Sequence, residues 1–122
     1  MPTRQSVFIV DDDPSVRTSM SRLLRAHGFV ATLFESAGAL LDYGGFERAM
    51  CIVLDINLDG KSGIELRLRL TEKGVTAPVI YITGNDSPAN RTAAIASGCV
   101  AYLTKPFSAE SLIESVTRAA AA

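Results

Sequence analysis

The 122-residue sequence carries very little net charge: twelve Lys and Arg stand against thirteen Asp and Glu, a formal −1. Affinity built on phosphate neutralisation needs an excess of cations, so no global field draws this chain to nucleic acid. Cysteine is equally scarce. Cys51 and Cys99 are too few and too far apart for a disulfide framework or a zinc site. Each lies in an apolar run, so both are expected to be buried, reduced thiols. The one histidine, His27, precedes Gly28 and reads as a helix-terminal surface residue rather than a phosphoacceptor. No apolar run reaches the length that crosses a bilayer, and residues 1–13, MPTRQSVFIVDDD, lack the layout of a signal peptide. A cytoplasmic protein without membrane contact is expected. There is no G-x-G-x-x-G after the first apolar run and no G-x-x-x-x-G-K-[ST], so dinucleotide and P-loop readings lack their phosphate cradle.

What is present is ordinary globular material, 48% hydrophobic and 20% charged. Its length suits one compact domain over residues 1–122, able to bury about two-thirds of its unfolded surface. Val7–Val10, Cys51–Leu54 and Val79–Ile82 are unbroken apolar runs rich in β-branched and aromatic residues, as strands buried on both faces of a parallel sheet must be. Phe29–Phe34 and Val100–Leu103 are weaker strands. Between the runs stand helix signals. Asp13-Pro14 and Ser87-Pro88 each read as an N-cap followed by proline at the first helical position, with Gly28 and Gly98 as stops. Ser62-x-x-Glu65 is a capping box closed by Gly74, and Ser36 and Ser108 cap the second and last helices. Ile64–Leu70 alternates with period two, which favours a strand. Its Leu, Arg and Glu content and the capping box predict a helix instead. The order is βαβαβαβαβα, an α/β fold with helices on both faces of a parallel sheet.

The chemistry collects just after the apolar runs. Asp11-Asp12 follow Val10, Asp55 follows Leu54, Thr83-Gly84 follow Ile82, and Thr104-Lys105-Pro106 follow Leu103. Ligands of open α/β sheets bind beyond the carboxyl ends of the strands, so one rim would hold three carboxylates, a hydroxyl and an ammonium. Three acids repel one another, and a hard divalent cation such as Mg²⁺ relieves them. Lys105 suits a phosphoryl oxygen, Thr83 can hydrogen-bond another, and Asp55 is the natural nucleophile for an acyl phosphate. Asp13 reads as a cap rather than a ligand, and Arg67, Arg69 and Lys73 as a solvated helix face.

This set, in this order and spacing, resembles the receiver domain of bacterial two-component response regulators, over Ser6 to Ala119. Ile9-Val10-Asp11-Asp12-Asp13, Ile82-Thr83-Gly84 and Tyr102–Phe107 are most similar to FixJ-type receivers. The resemblance implies a flavodoxin-like, CheY-like (βα)5 three-layer sandwich with a five-stranded parallel sheet in order 2-1-3-4-5. It implies that Asp55 accepts a phosphoryl group from the phosphohistidine of a sensor histidine kinase or phosphotransfer protein. Asp12 would be the more direct Mg²⁺ ligand, Asp11 would act through water, and the backbone carbonyl of Asn57 would complete the shell. Lys105 and Thr83 would hold phosphoryl oxygens, Gly84 would keep the approach open, and the Lys105–Pro106 bond would be cis. Tyr102 would be the aromatic switch turning inward with Thr83, changing a surface of helix 4, strand 5 and helix 5 that serves a homodimer or an effector.

The implied protein is a signalling domain that phosphorylates and dephosphorylates itself and turns over no metabolite. Two other readings stand beside it: a phosphorylation-independent interaction module, and a Mg²⁺ phosphohydrolase. Phosphohydrolases of this kind place a second acid two residues after the nucleophile, where this chain has Asn57. Leu58-Asp59 replaces the Met-Pro of many receivers, and the lost proline predicts a looser loop after the acceptor. No stretch reads as a DNA-recognition element, whereas FixJ-type receivers usually continue into a helix-turn-helix domain.

Overall fold

A computed structural model describes residues 6–121. The chain runs β1 (Ser6–Val10), α1 (Pro14–Ala26), β2 (Val30–Phe34), α2 (Ala37–Tyr43), a 3₁₀ turn (Phe46–Arg48) and β3 (Ala49–Asp55). Two short strands follow, β4 (Asn57–Leu58) and β5 (Lys61–Ser62), and then α3 (Gly63–Glu72), β6 (Val79–Thr83), α4 (Pro88–Ala96), β7 (Ala101–Thr104) and α5 (Ala109–Ala121). Five strands form one parallel sheet in the order β2-β1-β3-β6-β7. Counted without the β4–β5 ribbon, this is the 2-1-3-4-5 order implied by the sequence.

The unbroken apolar runs are explained by two cores. Phe8, Val10, Ile52, Leu54, Val79 and Tyr81 pack on one face with Leu40 of α2, Leu66 and Leu70 of α3, and Ala94 of α4. Their neighbours Val7, Ile9, Cys51, Val53, Ile80 and Ile82 point the other way, onto Met20 and Leu24 of α1 and Leu112 and Val116 of α5. Alternate residues of a strand face opposite sides, so a sheet covered on both faces needs apolar residues at every position. Caps fall where the residues place them: Asp13 accepts from the Ser15 amide, Ser36 from Ala39, Ser62 from Ile64 and Glu65, Ser87 from Asn90, and Ser108 from Ser111.

Ile64–Leu70 is helical. Leu66 and Leu70, four apart, are buried, while Leu68 on the far side is 52% exposed. Three expectations change. Cys51 is buried and its thiol is pushed up to about 12 by burial, but Cys99 is only half-buried. Arg67 does not belong to a solvated face: it is half-buried, and its guanidinium donates to the Gly98 carbonyl at 3.5 Å. The segment after Asp55 is not loose. Asn57 pairs with Ser62 and Leu58 with Lys61 in an antiparallel hairpin closed by Asp59 and Gly60, whose φ values of +50° and +83° make a two-residue left-handed turn. Among the described residues no helix is long and apolar enough to cross a membrane.

Candidate functional site

The sheet order puts β1 and β3 side by side at its centre, where the connections leave in opposite directions. There the carboxyl ends open a crevice. Asp11, immediately after β1, is fully buried. Its backbone amide donates to the Phe34 carbonyl at 3.2 Å, tying it to the end of β2. One carboxylate oxygen accepts from the Asp13 amide at 2.9 Å, and the other accepts from Lys105 Nζ at 3.1 Å. Asp12 stands exposed beside it. Asp13 is turned away into the cap of α1, where hydrogen bonds from Ser15 hold its carboxyl below the usual range.

Asp55 closes β3 at 4% exposure. Oδ1 accepts from the Asn57 amide at 3.0 Å, and Oδ2 accepts from Lys105 Nζ at 3.0 Å. Lys105 arrives from beyond β7, where its own amide donates to the Thr83 carbonyl at 2.8 Å and its bond to Pro106 is cis. One ammonium thus bridges two buried carboxylates. Burial raises the Asp55 pKa, and the Asp11 charge adds to this against the opposing pull of the Asn57 amide and Lys105. For Lys105 burial works downward, but the bonds to Asp55 and Asp11 outweigh it and its pKa is raised.

Carboxylate oxygens of Asp11, Asp12 and Asp55 all lie within 4.8 Å of one another. Three hard oxygens at this spacing, two of them on buried residues, suit a small divalent cation. The hairpin orients the backbone of Asn57. The Gly63 amide donates to the Ile56 carbonyl at 2.7 Å, which makes Asn57–Ser62 the non-hydrogen-bonded pair of the ribbon. In such a pair the N–H and C=O of a residue both turn away from the partner strand. The Asn57 N–H meets Asp55, so its carbonyl faces the same side.

Thr83, at the end of β6, is buried. Its hydroxyl oxygen accepts from the Asn85 amide at 3.0 Å, which leaves its hydrogen to donate. A β-carbon on Gly84 would meet Lys105 Cδ at 3.9 Å, an ordinary contact, so the space before it is open. Tyr102 stands apart from the acids: its hydroxyl donates to Asp86 at 3.0 Å, and the Arg91 guanidinium lies 4.8 Å over its ring. Arg91 also pairs with Asp86 at 2.7 Å.

Three contributors escaped the sequence reading. The Arg17 guanidinium donates to the Asp11 carbonyl at 2.6 Å, a contact from α1 back to the residue after β1 that no capping rule announces. Gly63 lies against Asp55: a β-carbon there would clash with the Asp55 carbonyl oxygen. Asp59-Gly60 is itself a strong hairpin signal.

The family model of the response regulator receiver domain matches residues 7–117. Nodulation protein W of Bradyrhizobium diazoefficiens is 34% identical over 117 residues, covering 96% of this chain and 52% of that protein. Transcriptional regulatory protein FixJ of Azorhizobium caulinodans is 36% identical over 116 residues, covering 95% and 55%. The crystal structure of FixJ-N superposes with a TM-score of 0.86 at 33% identity, covering 95% of this chain and 93% of that one. The chain spans about half the length of the curated relatives it matches. By fold, by the place of its acids and by these matches, it belongs to the response regulator receiver domain family of two-component systems.

Proposed function

We propose that this receiver, a single domain over residues 1–122 acting in the cytoplasm, takes a phosphoryl group onto Asp55 from the phosphohistidine of a sensor histidine kinase or phosphotransfer protein. The observation that carries this reading is the Lys105 ammonium held 3.0 Å from Asp55 and 3.1 Å from Asp11, at the rim where three carboxylates converge. Asp55 offers a carboxylate oxygen to phosphorus. As the new O–P bond forms, the N–P bond of the donor breaks and the imidazole keeps the electron pair. Asp11, Asp12, Asp55 and the Asn57 carbonyl would hold Mg²⁺, which when bound neutralises the acids and polarises a phosphoryl oxygen. Lys105 and the Thr83 hydroxyl hold the other oxygens. With Asn57 in place of a second acid, nothing two residues beyond Asp55 activates water, so the chain acts as a switch rather than as a phosphohydrolase.

The output we infer is a change in the face built by α4, β7 and α5. Thr83 drawn towards the phosphoryl group vacates space beside β7, and Tyr102 leaves Asp86 to fill it. Ile95, the one large apolar residue of α4, is 65% exposed and would sit in a homodimer or effector contact. FixJ is named a transcriptional regulator, so a transcriptional output through another segment or partner fits, without direct nucleic-acid binding by these residues.

Incubation with acetyl phosphate and Mg²⁺, followed by intact mass measurement, tests the reading. One added phosphoryl group that Asp55→Ala abolishes is the expected result. No addition under conditions that label other receivers would leave a phosphorylation-independent interaction module.

A further inference from the structure

Asp12 is the member of the acidic set with least to hold it. Asp11 and Asp55 are buried and share Lys105. The Asp12 side chain is exposed, and among the described residues no hydrogen bond fixes its carboxylate. An oxygen of it nevertheless lies within 4.8 Å of those of Asp11 and Asp55. Its direction is therefore set by the two peptide groups that flank it. Behind it, the Asp13 amide donates to the Asp11 carboxylate at 2.9 Å; ahead of it, the Asp11 carbonyl accepts from the Arg17 guanidinium at 2.6 Å. The Arg17 amide also bonds the Asp13 carbonyl at 3.1 Å, so the loop is closed onto α1 from both sides. Arg17 is half-buried, and among the described residues no carboxylate pairs with it. A guanidinium is shaped for carboxylates, yet this one holds a main-chain oxygen beside three of them.

We propose that Arg17 is the positioning residue for Asp12. By holding the Asp11–Asp12 peptide, it keeps an exposed carboxylate turned towards Asp11 and Asp55, where it can serve a cation. This rests on the proposed reading of the pocket as a Mg²⁺ site. Two properties of the side chain oppose each other there. Its positive charge repels a divalent cation, while its bond to the peptide orders a ligand that the cation needs. Without that bond Asp12 must be ordered as the cation arrives, and fixing backbone and side chain is a main cost of any binding step. The charge of a half-buried arginine is screened by water and salt, so the ordering outweighs it.

Mg²⁺ affinity is read from the rise in Tm across a Mg²⁺ series that starts in EDTA. The proteins are the parent chain, Arg17→Met, Arg17→Lys, Asp12→Ala and the double variant Arg17→Met/Asp12→Ala. Met keeps the packing of the stem and loses both the charge and the bond. Lys keeps the charge but is shorter and lacks the fork. Arg17→Met should bind Mg²⁺ about fivefold more weakly than the parent, and Arg17→Lys about threefold more weakly. Charge alone predicts tighter binding by Arg17→Met and no change in Arg17→Lys. On the Asp12→Ala background Arg17→Met should bring no further weakening, since no carboxylate is left to aim. Tighter or unchanged binding by Arg17→Met, or an equal further loss without Asp12, overturns the proposal. An arginine that serves the fold alone gives that unchanged affinity with a lower Tm in EDTA. Where Arg17→Met does not fold, unchanged affinity in Arg17→Lys overturns it instead. A parent chain whose Tm does not rise in Mg²⁺ removes the metal reading itself, whereas an equal rise in the parent and both single Arg17 variants removes only the role of Arg17.

Discussion

Asp55→Asn removes one negative charge from the pocket and changes almost no volume. At an effective dielectric constant near 20, Lys105 at 3.0 Å attracts the Asp55 carboxylate by about 5.5 kcal/mol. Asp11, with an oxygen within 4.8 Å, repels it by at least about 3.5 kcal/mol, and the exposed Asp12 at the same range adds a smaller, solvent-screened repulsion. The surplus, at most about 2 kcal/mol, is smaller than the several kcal/mol that burial of an ion costs. The charge on Asp55 is therefore a net burden on the fold, in line with its raised pKa. Asparagine keeps one acceptor oxygen, which can take the Asn57 amide while Lys105 stays bonded to Asp11. Part of the gain is lost with the second bond, so the variant should be more stable than the parent by about 1 kcal/mol at pH 7 without metal, roughly 3–6 °C in Tm.

The sign with pH follows from proton linkage. A carboxyl whose folded pKa lies above its ordinary value of 3.8 binds more protons folded than unfolded between the two values. The parent loses stability as pH rises through that window. The difference from the asparagine variant should open across it and vanish below it, where Asp55 is neutral. Saturating Mg²⁺ reverses the order, since at a hundred times Kd a bound ligand adds about 2.7 kcal/mol to the parent and less to a variant lacking one ligand charge. Thermal melts in EDTA and in Mg²⁺ at several pH values read all three effects. An asparagine variant less stable than the parent at pH 7 in EDTA would refute the reasoning, because the charge would then be a net stabiliser.

Gly63→Ala forces a methyl group to within 2.1 Å of the Asp55 carbonyl unless α3 or β3 moves by more than an ångström. A loss of about 2–4 kcal/mol in urea unfolding is expected from overpacking and a weakened Gly63–Ile56 hydrogen bond, and a loss under about 0.5 kcal/mol would contradict the close approach. Asp86→Asn breaks the pair with Arg91 and weakens the hold on the Tyr102 hydroxyl. If that hold keeps Tyr102 outward, the beryllofluoride concentration at half-saturation should fall severalfold in the presence of Mg²⁺, and Arg91→Ala should act in the same direction. An unchanged midpoint in both would place the switch elsewhere. Asp86 is held below the ordinary carboxylate range by Arg91 and then Tyr102, so in the parent this contact is complete above pH 3.8 and is lost as pH falls towards the lowered value.

The features legible in the residues are those decided within a few positions of chain. Val7–Val10, Cys51–Leu54 and Val79–Ile82 announce strands buried on both faces because each position must be apolar, whichever face it takes. Asp13, Ser36, Ser62, Ser87 and Ser108 announce helix starts because a cap bonds an amide two or three residues ahead. The Asp59-Gly60 turn was equally local, but reading the segment only for its lost proline hid a hairpin that the dipeptide itself specifies.

What the tertiary structure decided is every contact between strand ends. Lys105 bonds Asp11, 94 residues away, only because β1 and β3 are neighbours in the sheet and the β7–α5 loop folds back across the rim. Asp12 is exposed and Asp11 buried, although the two are adjacent and identical, because only Asp11 still belongs to the sheet through its bond to Phe34. Gly63 against Asp55, and Arg91 and Asp86 around Tyr102, depend in the same way on which elements the sheet order sets side by side. Local sequence chooses the elements and places an acid, a hydroxyl or a lysine at their ends. The convergence of those groups is set by long-range strand pairing, which no window of the sequence contains.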